Sequence, residues 1–111
     1  MKTLHLNVTK EFFDMIESGV KKEEYREIKP YWENRLLTRC SVDYTRYLIN
    51  DLYYRPADFD LVEIKNGYQK NAPKLLFECK GIDIGKPNKE WIGAKFDGKD
   101  DVFIIKLGEK K

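Results

Sequence analysis

An α+β fold is predicted for this chain of 111 residues. Three observations predict it. Helical periodicity is gathered in the first half, alternating apolar and polar residues recur through the second half, and glycine, proline and asparagine separate the stretches. Five or so strands with the helices gathered near the start fit a small mixed or closed sheet; periodicity does not choose between an open sheet and a barrel.

The elements follow in order. Leu4-His5-Leu6-Asn7-Val8 alternates apolar and polar residues, the pattern of a half-buried strand. Thr9 is placed to cap a helix through its hydroxyl. That helix, Lys10 to Ser18, puts Phe12, Phe13 and Ile16 on one face with Met15 beside them. Gly19 ends it, as glycine commonly does just past a helix C-terminus. Lys21 to Ile28 is the second strand. Its spacing of two puts Lys22, Glu24 and Arg26 on one face and Tyr25 on the other, ready to pack inward. Three charges of mixed sign are a poor core and a reasonable polar site for a ligand.

Pro30 suits the first turn of a second helix, where its missing amide costs nothing. Tyr31, Trp32, Arg35, Leu36 and Leu37 continue it. From Thr38 to Asp60 no period is clear. Residues 43–54 hold four tyrosines and read as a short helix or an aromatic-rich loop, broken by Pro56-Ala57-Asp58. The second half reads as all β. Leu61 to Ile64 is a strand, followed by the turn pair Asn66-Gly67. Lys74 to Ile84 is a long strand with Leu75, Phe77 and Cys79 on one face and a bulge at Gly81. Lys86-Pro87-Asn88 turns the chain, Trp91-Ile92-Gly93 is a loop or short edge strand, and Asp101 to Leu107 closes the domain with Phe103, Ile105 and Leu107 on one side.

Composition excludes several functions. The length suits one domain. No run of eighteen apolar residues occurs, so no membrane span is expected, and the N-terminus lacks a signal-like apolar stretch, so a cytoplasmic location is expected. The net charge is +2 with the signs interleaved, which argues against duplex DNA binding by bulk electrostatics but leaves room for a local basic patch. Cys40 and Cys79 lie far apart and read as a reduced pair. With one histidine, His5, and no Gly-rich phosphate loop, neither a metal nor a nucleotide cofactor is expected.

The arrangement helix-Gly-x-Lys-x-x-Glu-x-Arg, carried by Ile16, Gly19, Lys21, Glu24 and Arg26, resembles the ASCH domain family, relatives of the PUA domains of RNA-modifying proteins. Phe59 to Tyr68, Glu78 to Gly85 and Phe103 to Gly108 are similar to phage and bacterial members. Residues 39–56 stay unmatched, as a variable helical or aromatic insertion. The resemblance implies a PUA-like small mixed β-barrel with helices packed against it, and a polar cleft between barrel and first helix lined by Lys21 to Arg26. It also implies recognition of RNA, a nucleotide or a modified base. Some bacterial members remove the acetyl group of N4-acetylcytidine with a lysine and a threonine. Lys21 matches that lysine and Arg26 the motif's arginine, while Lys22 and Glu24 stand where the two threonines fall.

Three functions are therefore carried forward. In a binding module, Lys21, Lys22 and Arg26 would meet phosphate or carbonyl groups and Glu24 would accept from a base. Asn66 and Tyr68 would line the site, Tyr68 by stacking, and Glu63 and Glu78 are the candidates for a further carboxylate. In an amidohydrolase, Lys21 would be base or nucleophile and Glu24 its partner. In a protein-interaction module, Tyr44 to Tyr54 would form the contact surface; the same tyrosines, interleaved with Arg46 and Arg55, would equally suit single-stranded nucleic acid.

Overall fold

The computed structural model describes residues 1–93 and 98–111. Among the described residues, two helices and eight strands occur in the order β1 (Thr3–Val8), α1 (Lys10–Glu17), β2 (Glu23–Arg26), α2 (Pro30–Leu36), β3 (Leu37–Arg39), β4 (Tyr47–Ile49), β5 (Leu52–Pro56), β6 (Leu61–Asn66), β7 (Lys74–Gly85) and β8 (Val102–Lys110). Single 3-10 turns lie at Val42–Tyr44 and Lys89–Trp91. The α+β class holds, and β1 and α1 fall where periodicity put them, while α2 ends at Leu36 because Leu37 is already extended and opens β3. β2 is shorter than its apolar-charged alternation suggested, because Lys21 and Lys22 precede it.

The main sheet has the order β1-β6-β7-β8-β2, with β1 parallel to β6 and the other pairs antiparallel. It is a curled, mixed half-barrel with β1 and β2 as its two edges. Its concave face carries a core of Leu4, Leu6, Val62, Ile64, Phe77, Phe103 and Ile105, covered by Phe13 and Ile16 of α1 and by Leu36 and Leu37. β7 holds register shifts between Phe77 and Gly81, where Gly81 takes φ +129°, so the predicted bulge is present. It lets a strand of 12 residues bend with the sheet. A second, smaller cluster joins Tyr25, Ile92, Val102 and Ile104 on the other face of β2 and β8, with Trp91 beside it. That segment is a 3-10 turn and loop rather than an edge strand.

Three local expectations are corrected. Thr9 occupies the N-cap, and its carbonyl accepts from Phe13 N at 2.9 Å, but its hydroxyl makes no capping bond. Residues 43–54, read as a short helix or loop, belong largely to strands: β3, β5 and β4 form a three-stranded antiparallel sheet, with the 3-10 turn Val42–Tyr44 in the connection between β3 and β4. Asn50 and Asp51, both at positive φ, make the two-residue turn of its hairpin. Tyr47, Ile49 and Tyr54 pack on the main core, while Leu48 and Tyr53, opposite one another, face out. The third correction concerns β2. Directly opposed residues of neighbouring strands share a face. Glu24 is opposite Ile105 and Arg26 opposite Phe103, so the two charges are on the core side of the sheet. Tyr25, opposite Ile104, faces the second cluster instead.

Candidate functional site

A buried carboxylate needs partners, because removing it from water is otherwise prohibitive. Glu24 is 3% exposed and has two. Its Oε1 lies 2.8 Å from Lys21 Nζ, and its Oε2 accepts a short hydrogen bond from Arg26 Nη1. Lys21 itself is 2% exposed. Gly19, at φ +86°, turns the chain out of α1, and Lys21 N then bonds back to Met15 O at 3.0 Å. Because Lys21 precedes β2, strand alternation does not fix its direction. Its ammonium sits over the ring of Phe12, 3.6 Å from the centroid. Burial pushes the Lys21 ammonium below the ordinary lysine value, against the opposing pull of Glu24.

Arg26 fastens the two edges of the half-barrel. In β1 the carbonyls of Lys2 and Val8 face β6, so that of Asn7 faces away. In β2 the carbonyl of Lys22 accepts from Leu107, so that of Tyr25 faces away from β8. Arg26 Nη1 donates to Tyr25 O at 2.8 Å and Nη2 to Asn7 O at 2.9 Å. One guanidinium thus bridges carbonyls that no neighbouring strand takes up, and it lies 5.1 Å from the ring centroid of Trp32.

A cleft of about 430 Å³ opens along this seam. Its floor is Lys21, Glu24, Tyr25 and Arg26; its walls are Asn7 to Lys10 and Phe12 on one side and Trp91 on another; its rim is Asn66, Gly67 and Tyr68. The size is that of a small-molecule site. Two cations and one carboxylate leave the floor with a net charge of +1. Tyr68 stands at the rim, 85% exposed.

The sequence-derived candidates divide accordingly. Lys21, Glu24, Arg26, Asn66 and Tyr68 come together. Lys22 does not: it is exposed and lines a separate groove with Glu78, on the far side of Lys21. Glu78 is exposed and lies 3.7 Å from Lys111. Glu63 is opposite His5 on the outer sheet face, with its Oε1 3.1 Å from His5 Nδ1. Among the described residues lining the cleft, Glu24 is the one carboxylate. Sequence reading missed Asn7, Thr9, Phe12 and Trp91. Periodicity places Phe12 with Phe13 and Ile16 on the core face of α1, against which it partly packs, so no signal in the sequence marks it as a cleft residue. No group of described His, Cys, Asp or Glu side chains could hold a metal ion. Among the described residues, no helix is long and apolar enough to cross a membrane. The chain matches no protein-family model, no curated protein and no solved structure.

Proposed function

We propose that the cleft binds a nucleotide or modified base of RNA, as the ASCH resemblance implies, and that the curled sheet with its two helices is a PUA-like barrel. The observation carrying this reading is the Lys21–Glu24–Arg26 network on the floor of the cleft. Buried ion networks are poor devices for stability, since apolar residues of equal volume serve as well or better. A net positive, hydrogen-bonding floor between aromatic walls instead matches a planar ligand with carbonyl or phosphate oxygens. Tyr68 at the rim supplies a stacking face.

A second reading has its own support. A lysine with depressed proton affinity beside a carboxylate is equipped to move a proton during amide hydrolysis, which would convert N4-acetylcytidine and water to cytidine and acetate. One experiment addresses both. Nucleoside monophosphates and N4-acetylcytidine are titrated calorimetrically against the wild-type chain and Tyr68→Ala, whose side chain the fold does not bury. Saturable binding weakened about tenfold by Tyr68→Ala supports the binding reading. Release of cytidine, lost in Lys21→Met, supports the hydrolase. Failure of every nucleotide and nucleoside to bind removes both.

A further inference from the structure

The charge signs that interleave along most of this chain cease to do so at one place. From Lys65 to Leu76 there are three lysines, Lys65, Lys70 and Lys74, and no carboxylate. The fold concentrates them: Lys65 and Lys74 are directly opposite one another on β6 and β7, so their side chains share a face, and Lys70 lies in the turn between these strands. Like charges directly opposed across a sheet are destabilising. None of the three forms an ion pair among the described residues, and Glu63, two positions before Lys65 on the same face, has its Oε1 3.1 Å from His5 Nδ1. The same hairpin end carries Tyr68 and lines the cleft through Asn66, Gly67 and Tyr68. Asn7, on the opposite wall of the cleft, is the direct neighbour of Lys65 across β1 and β6. Lys65 and Lys74 lie on the outer sheet face that also carries His5 and Glu63, next to the strand end whose Asn66, Gly67 and Tyr68 form the cleft rim.

We propose that the β6–β7 hairpin tracks the phosphodiester backbone of a single-stranded nucleic acid, one nucleotide of which enters the cleft. This rests on the nucleotide reading of the cleft and adds that the ligand is a strand, not a free nucleotide. The uncompensated lysines are the counter-charge for successive phosphates, and Tyr68 stacks a base beside them. A mononucleotide filling the cleft would leave Lys70 and Lys74 without a role.

The test is the salt dependence of binding. Short fluorescent RNA and DNA strands of one sequence are titrated against the wild-type chain and Lys65→Ala/Lys70→Ala/Lys74→Ala, with a nucleoside monophosphate and poly-glutamate in parallel. Each single-strand phosphate contact adds about 0.7 to the slope of log affinity against log salt, so the triple variant is expected to lose about 2 from that slope. Between about 50 and about 200 mM salt the wild-type chain then loses about 20-fold more affinity than the variant. Mononucleotide affinity stays nearly constant. The variant's melting temperature holds or rises, because a like-charge pair has been relieved.

A slope unchanged in the triple variant overturns the proposal. So does a strand bound no better than the mononucleotide, an outcome that leaves the cleft reading standing. Tighter binding of poly-glutamate than of either strand assigns the hairpin to an acidic protein and also overturns it. If neither strand nor mononucleotide binds, both readings fall together.

Discussion

Glu24 is the residue on which the site turns, because the fold gives it no water. Both oxygens are taken by cations, so each of the three charges depends on the other two. Replacing Glu24 by glutamine keeps the shape and removes the counter-charge from Lys21 and Arg26. The expected cost is about 3–5 kcal/mol, the usual result of breaking one side of a buried pair. Lys21→Met should cost less. Its stem already lies among apolar groups, and Arg26 still partners the carboxylate. The double variant Lys21→Met/Glu24→Gln should be less damaged than the two single losses added together. Urea unfolding of the four proteins closes that cycle, and strict additivity would show that the pair is not coupled.

At the scale of elements, the hairpin of β4 and β5 is the part least readable from the sequence and the simplest to improve. Its strands are 3 and 5 residues long. Tyr47, Leu48 and Ile49 are all apolar, so the period of two that marks a strand is invisible although Leu48 points outward. The two turn residues have φ of 50° and 63°, a conformation that favours glycine, above all as Asn-Gly. Asp51→Gly should therefore stabilise the protein by about 1 kcal/mol. Calorimetry would register this as a melting temperature higher by a few degrees, and a fall would mean that the aspartate side chain holds the turn. Gly93, at φ +61°, is constrained differently. A Cβ there would meet Phe12 Cζ at 2.9 Å, and the Phe12 ring is the surface on which Lys21 rests.

For the whole molecule, the alkaline limit of stability follows from how β2 is packed. Tyr25 is fully enclosed; its hydroxyl donates to Glu23 Oε1 at 2.8 Å and accepts from Asn88 N at 3.0 Å. Burial, with Glu23 adding to it, raises the phenol well above its ordinary value of 10.0. The unfolded chain releases this proton near pH 10.0 and the native chain retains it, so stability is full below that pH and falls as pH climbs beyond it. Cys79 acts in the same sense from 9.0, its thiol raised by burial, while Lys21, lowered by burial, opposes both below 10.5. Unfolding free energies measured across pH 9 to about 11.5 should decline, and Tyr25→Phe should flatten the upper part of the decline while lowering stability at neutral pH. A Tyr25→Phe curve parallel to the wild type would show that the phenol is not the group responsible.

The sequence by itself determined the elements whose apolar period is clean: β1, α1, α2, and the alternating cores of β7 and β8. There the side-chain pattern and the backbone period are one property, and nothing distant is needed to read it. It also brought Lys21, Glu24 and Arg26 into view through spacing and resemblance. Only the tertiary structure decided which way they face. Strand alternation says that Glu24 and Arg26 share a side, but not whether that side is core or solvent, and the answer came from their register against Ile105 and Phe103. Lys21 is enclosed because α1 returns to the strand that follows it, Lys22 points out to solvent, and Glu63 and Glu78 fall elsewhere because strand alternation puts them on the outer face of the sheet. Burial and charge pairing depend on which chain segments become neighbours, and such neighbours lie far apart in the sequence.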